Sequence, residues 1–247
     1  MEVDWPEELL IIRHGQSAGN VARERAIELG SLVIDIDSRD CDVRLSALGE
    51  RQSAALGRWL ARNGRRFDEV LSSPYVRAQE TAAIALRAAN WNDVPVTVDE
   101  RLREKEFGIL DRLTGEGIIQ RFPDQAEMRT VLGKFYYRPP GGESWTDVIL
   151  RLRSVIDNLT RDYANCRVAI VSHQVVVLCF RYLFEHLNEE QILAIDREGD
   201  VANCAVTTYR RSADKKTMEL HEYNVVAPLE EAGEPVTTRP DVPVAPK

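Results

Sequence analysis

Arg13 and His14 follow four aliphatic residues and precede a glycine in the stretch LLIIRHGQSAGN. Ser172 and His173 close a second apolar run, RVAIVSHQ, and Arg77 comes shortly after a third in DEVLSSPYVRAQET. Two imidazoles and two guanidinium groups placed this way are equipment for holding an anion. Guanidinium offers a rigid fork of donors, and imidazole changes its charge state near neutral pH. Each residue also has a bland reading. A histidine at a strand end is commonly structural, and an arginine in a first helical turn opposes the helix dipole and is usually solvated. The set carries more weight than its members, because three separate segments deliver such groups to the same kind of position.

The elements that must position them can be read from patterning. Leu9 to Ile12 is a short continuous apolar run, the signature of a strand covered on both faces in a parallel sheet. In open parallel sheets, ligands bind outside the carboxyl ends of strands, so polar residues there face a crevice rather than the core. LSALGERQSAALGRWLARNG places Leu48, Ala55, Leu56, Trp59 and Leu60 near one helical face, with Asn63-Gly64 as the stop. In DEVLSSPYVRAQET, Val70 and Leu71 end a strand, Ser73 is expected to cap a helix and Pro74 to take its first position, which puts Arg77 in the first turn. VPVTVDERLREKEFG reads as a short strand and a polar loop. GESWTDVILRLRSVIDNL opens with Ser144 and has Asp147 three positions on, a capping-box start. VVVLCFRYLFEHL reads as a buried helix, and NCAVTTYRRSADKKTMELHEY as a hairpin around Ser212 to Lys215.

This alternation predicts an α/β, three-layer fold with a mostly parallel central sheet flanked by helices. Residues 1–226 read as a single domain with a charged insertion at about 21–44 that could cover the site. Residues 227–247, rich in proline, acid and small side chains, are expected to form a disordered tail.

Composition narrows the partners. The 247 residues are 44% hydrophobic and carry a net charge of −8, so the surface as a whole suits no nucleic acid, and any anion site must be local. Four widely spaced cysteines, Cys41, Cys166, Cys179 and Cys204, form no metal-ligand or redox motif and fit a reducing compartment. With no secretory signal and no apolar run near the ~20 residues a membrane helix needs, a cytoplasmic protein with no membrane partner is expected. No cofactor and no metal are expected.

Taken in order, RHG, SSPYVRAQETA, LREKEFG, PGGES and VSHQ resemble the motifs of the histidine phosphatase superfamily, the phosphoglycerate mutase-like group. The resemblance runs from about Leu9 to Tyr209. It implies that His14 becomes phosphorylated, that Arg13, Arg77 and His173 clamp the phosphoryl group, and that Glu104 is the general acid and base, with Glu106 as the runner-up. Asn20, six residues past the nucleophile, and Gly15 would join the substrate site. The chemistry suits the residue types, since phosphoryl transfer spreads negative charge that preorganised guanidinium donors can stabilise. Neighbouring cations favour the neutral, nucleophilic imidazole, and an arriving dianion favours the protonated Glu104 needed to discharge the leaving oxygen.

Within the group, LTGEGIIQRFPD, KFYYRPPGGES and SHQ are most similar to the fructose-2,6-bisphosphatase branch. By that resemblance Lys134, Tyr137, Arg138 and Gln174 would line the substrate side. Gly141, Trp145 and Leu178 depart from the branch, so its sugar-bisphosphate pocket is incomplete. The expected activity is a histidine acid-type phosphatase acting on a small phosphorylated metabolite. Mutase-type transfer and a non-catalytic phospho-ligand binding module are the alternatives.

Overall fold

The computed structural model describes residues 4–238. Among these, six strands, β1 (Glu8–Arg13), β2 (Glu69–Ser72), β3 (Val96–Val98), β4 (Arg167–Ser172), β5 (Val206–Arg211) and β6 (Met218–Val225), form one sheet in the order β3-β2-β4-β1-β5-β6. The first four in that order are mutually parallel, and the β5–β6 hairpin is antiparallel at one edge. The helices are α1 (Ala18–Glu28), α2 (Ala47–Arg62), α3 (Val76–Ala88), α4 (Gly115–Arg121), α5 (Pro123–Tyr136), α6 (Trp145–Asp162), α7 (Gln174–Phe184), α8 (Glu189–Glu198) and α9 (Ala227–Glu230).

Alternation along β1 builds both cores. Leu9 and Ile11 pack with Val168 and Ile170 against α6 and α7, through Trp145, Val148, Leu152, Val176 and Phe180. Leu10 and Ile12 pack with Ala169 and Val171 against α2 and α3, through Leu56, Trp59, Ala78 and Ala82. Each such fully buried side chain stabilises the fold by about 1.5–3 kcal/mol relative to exposure. Two buried faces explain why β1 shows no polar alternation.

This layering places the site. After β1 the chain crosses to the α2–α3 face, whereas after β4 it enters α7 on the opposite face. β1 and β4 are neighbours, so the crevice at their carboxyl ends is the switch point where α/β sheets bind ligands. Register aligns Arg13 with Ser172 and Ser72 with Val171, which brings the residues just past all three strands side by side.

Local signals hold for α2, where the Ser46 side chain accepts from Gly49 N, and for α6, where Ser144 and Asp147 form the capping box. Two expectations change. The helix after β2 starts later than expected: its N-cap is Tyr75, and neither Ser73 nor Pro74 takes the predicted role. Residues 227–238 are also no disordered tail. Leu229 is fully buried on the α2–α3 face, Trp59 Nε1 donates to Glu231, Arg51 pairs with Glu234, and Gln52 Nε2 donates to the Pro235 carbonyl. One apolar anchor and several polar ones hold a segment whose composition alone suggested otherwise. The remainder of the predicted tail lies outside the described residues.

The segment at 21–44 is a helix followed by an aperiodic loop. It is tied to residues 112–114 by a bridge between Val33 and Leu113 and by Ile34 N donating to Arg112 O at 2.8 Å. Gly117 makes this approach possible, because a Cβ there would lie 1.9 Å from the Leu32 carbonyl oxygen.

Candidate active site

His14 sits one residue past β1, with its backbone N–H donating to Ser172 O at 2.9 Å. Its ring is oriented from both ends. Nδ1 lies 2.6 Å from the Gly15 carbonyl, which can only accept, so Nδ1 carries the proton. Arg77 Nε donates to His14 Nε2 at 3.2 Å, so Nε2 carries the lone pair. Both contacts describe one neutral tautomer with its nucleophilic nitrogen facing a guanidinium group.

Arg77 reaches this point from the first turn of α3, with its guanidinium 4.8 Å from the Tyr75 ring centroid. Arg13, the last residue of β1, is fully buried and donates through Nη1 to Val201 O. His173 stands edge-on to His14 with ring centroids 5.0 Å apart, and its Nε2 lies 2.8 Å from Ser73 Oγ. Glu104 is 1% exposed; Oε1 accepts from Lys105 N, and Oε2 lies 3.5 Å from Val175 N at the start of α7, where the helix dipole favours negative charge. Glu106, the runner-up acid, is half-exposed and accepts a hydrogen bond from Tyr75 OH at 2.8 Å.

The five predicted catalytic residues are all buried; His14 contacts Arg77 and His173, Arg13 precedes His14 at the end of β1, and Glu104 lies beside the start of α7, which follows His173. Burying ionisable groups is expensive unless they compensate one another. Such a cluster is better explained by ligand chemistry than by stability.

A Cβ at Gly15 would lie 2.6 Å from Gly49 O and 2.9 Å from Ser53 Oγ, so the glycine lets α2 approach. Its N–H donates to Thr81 Oγ1. Asn20 is buried, with Oδ1 accepting from Ser17 in the capping box of α1, and it borders a small pocket shared with Arg23, Asp40 and Arg77.

Beside the crevice lies a cavity of about 870 Å³ whose lining includes Lys134, Tyr137 and Gln174 together with Phe107, Leu110, Ile118 and Trp145. Lys134 pairs with Asp196, and Tyr137 OH donates to Gln125. Gln174 Nε2 donates to Asp200 at 2.7 Å, which fixes the amide, while its buried Oε1 has no hydrogen-bond partner among the described residues. Arg138 is not in this wall. It is 61% exposed and pairs with Asp147 in the first turn of α6, an acceptor close enough in sequence to capture it at the surface.

Sequence reasoning missed four cations that line the cavity, Arg23, Lys105, Arg129 and Arg197, of which Lys105 and Arg129 stand out. Lys105 is 7% exposed, with Nζ 4.1 Å from the Phe107 ring centroid, and burial pushes its pKa down to about 8. Burial also lowers the pKa of Arg129. Neither forms an ion pair among the described residues. Only the position of Lys105 beside Glu104 signalled this in the sequence. Also missed was Asp40, whose carboxylate lies on Arg77.

A family profile described as the histidine phosphatase superfamily (branch 1) matches residues 9–224. The chain belongs to the histidine phosphatase superfamily. Among its relatives in this superfamily, a 2,3-bisphosphoglycerate-dependent phosphoglycerate mutase of Methylobacterium radiotolerans is 31% identical over 186 residues, covering 74% of this chain and 82% of the relative. A 6-phosphofructo-2-kinase/fructose-2,6-bisphosphatase of Caenorhabditis elegans is 34% identical over 174 residues, covering 70% of this chain and 33% of the relative. A mycobacterial glucosyl-3-phosphoglycerate phosphatase solved with VO3 superposes with a TM-score of 0.68 at 26% identity, over 89% of this chain and 99% of that one. An Escherichia coli structure described as a putative α-ribazole-5′-phosphate phosphatase shares the fold, with a TM-score of 0.71 at 22% identity, over 89% of this chain and 97% of that one. Among the described residues no helix is long and apolar enough to cross a membrane. No group of three or more His, Cys, Asp or Glu among them could hold a metal ion.

Proposed function

We propose that this protein is a phosphatase that hydrolyses a phosphomonoester through a phosphohistidine on His14. The observation that carries the reading is the pair of contacts on that ring, Nδ1 at the Gly15 carbonyl and Nε2 at Arg77 Nε, which together assign the proton to Nδ1 and the lone pair to Nε2.

In the first step His14 Nε2 attacks phosphorus. The N–P bond forms as the ester O–P bond breaks, and Glu104 gives its proton to the leaving oxygen. Arg13, Arg77 and His173 hold the transferring oxygens, where buried donors act most strongly. A dianion entering beside Glu104 raises the affinity of the carboxyl for a proton, which readies it as the acid. In the second step water attacks the phosphohistidine. Glu104 takes the water proton, the N–P bond breaks, and inorganic phosphate leaves with Nε2 restored.

The cavity speaks for a sizeable leaving group. Its ~870 Å³ lies in the range of pockets that enclose drug-sized ligands. Its apolar wall suits a hydrophobic body, the open Gln174 Oε1 suits a hydroxyl, and the unpaired Lys105 and Arg129 suit a further negative charge.

The test is phosphate release from a generic aryl phosphate. His14→Ala is expected to reduce it by about 10⁴-fold or more, as loss of a nucleophile does elsewhere. Normal turnover in that variant would remove His14 from the mechanism. Mutase-type transfer is the second reading, favoured by the Methylobacterium relative. Incubation with 3-phosphoglycerate and a trace of 2,3-bisphosphoglycerate separates the two, since isomerisation outrunning phosphate release would establish the mutase.

A further inference from the structure

The loop between α1 and α2 reaches across the crevice and sets an acid on a residue that the proposed reaction needs. Asp40 begins the short turn Asp40–Asp42. Arg77 Nη1 donates to the Asp40 carbonyl at 2.6 Å and lies 3.1 Å from Oδ1, while Nη2 donates to Oδ2 at 3.2 Å. Arg77 is 1% exposed and Asp40 is 42% exposed, so the pair joins a buried cation to an acid at the rim.

The loop has the means to hold this position. Arg112 Nη2 donates to Ser38 O at 3.0 Å, two residues before Asp40. Ala18 N donates to Arg44 O at 2.9 Å, four residues after it. Between these ties, Asp40 is held by its contact with Arg77 and by Val43 N donating to its carbonyl at 3.3 Å. The neighbouring Arg39–Asp42 pair is exposed.

We propose that Asp40 is an internal competitor of the phosphoryl group, a carboxylate that must give up the terminal nitrogens of Arg77 before a phosphate can take them. This rests on the phosphate site proposed above and adds a determinant of its affinity. The chemistry is symmetrical, because carboxylate and phosphate oxygens both accept from the paired nitrogens of a guanidinium group. Without ligand, the carboxylate balances a buried cation that would otherwise be poorly compensated. With ligand, its displacement subtracts from binding. Observed affinity is the intrinsic affinity scaled by the fraction of molecules in which Arg77 is released. Free phosphate, which has no leaving group to lodge in the adjacent cavity, gains least to offset that loss. Asp40 thus favours release of the product.

The experiment is calorimetric titration of the full chain with inorganic phosphate, comparing wild type with Asp40→Asn and Asp40→Ala. Asp42→Asn serves as a control that removes the same charge from the same turn. Both Asp40 variants are expected to bind phosphate about tenfold more tightly, and Asp42→Asn to match wild type within about twofold. Unchanged or weaker binding in the Asp40 variants would show that Asp40 orients Arg77 instead of competing for it, and would overturn the proposal. An equal gain in Asp42→Asn would overturn it as well, by tracing the effect to overall charge. Phosphate binding by none of the four proteins would reject the phosphate site itself, and this proposal with it. Turnover that depends on His14, together with unmoved affinity in Asp40→Asn, would reject the competitor alone.

Discussion

His173 Nε2 and Ser73 Oγ lie 2.8 Å apart, joining the residues that follow β4 and β2. Ser73 Oγ also accepts from Tyr75 N at 3.2 Å, so the serine helps both to orient an imidazole and to shape the entry into α3. Ser73→Ala is expected to lower kcat/KM about tenfold or more, as losing an orienting partner does. It should also destabilise the fold by about 1–3 kcal/mol through the unsatisfied groups left behind. Ser73→Thr keeps the hydroxyl and should restore much of the activity. Paired kinetics and urea unfolding read both effects, and full activity in the alanine variant would show that His173 needs no such support.

Glu104 is buried beside the amino end of α7, where its acid role should depend on the leaving group. Glu104→Gln is expected to slow hydrolysis of an alkyl phosphate by about 10²–10⁴-fold. Nitrophenyl phosphate, whose leaving oxygen departs without a proton, should suffer much less in the first step. A series of leaving groups measured with both proteins gives the slope directly. Equal losses across the series would assign Glu104 to positioning.

Lys105 should make stability depend on pH. Burial pushes its pKa down to about 8 in the folded protein, from an ordinary lysine value of 10.5. Below pH 8 both folded and unfolded lysines are charged, and the full penalty of burying the charge is present. Between about 8 and 10.5 the unfolded chain binds a proton that the folded one does not, so stability rises with pH. Lys105→Met should remove that rise and stabilise the protein at pH 7 by up to about 3 kcal/mol. Unfolding curves collected from pH 7 to 10.5 test the window. Parallel profiles for the two proteins would show that Lys105 stays solvated.

Arg13, His14, Arg77 and His173 were legible because their positions are local facts: the ends of apolar runs and the first turn of a helix. Once the runs become neighbouring parallel strands, register alone brings their ends together. Glu104 and Asn20 came only from resemblance, since a loop acid and a first-turn amide carry no periodic signal. Asp40 was invisible for a related reason. It meets Arg77 across 37 positions, through a loop with neither helix nor strand period. Arg138 was misplaced because basic character does not reveal which acid will capture it, and Asp147 lay nine residues away. The end of the described chain was misread because one buried leucine, Leu229, outweighs the polar residues around it.

The strand that ends beside His14 is framed by parts of the chain far from it. β1 is paired by strands spanning residues 167 to 211. The carbonyl of His14 accepts from Asn203 Nδ2, and Asn203 is in turn bonded to Thr237 through both its backbone N–H and its side chain. A ribosome therefore makes LLIIRHG well before the segments that pair with it on either side. Until then a run of four bare aliphatic residues is open to misassociation, the hazard of sheets closed by distant pairings. The frame around His14 closes only once Thr237 has been made.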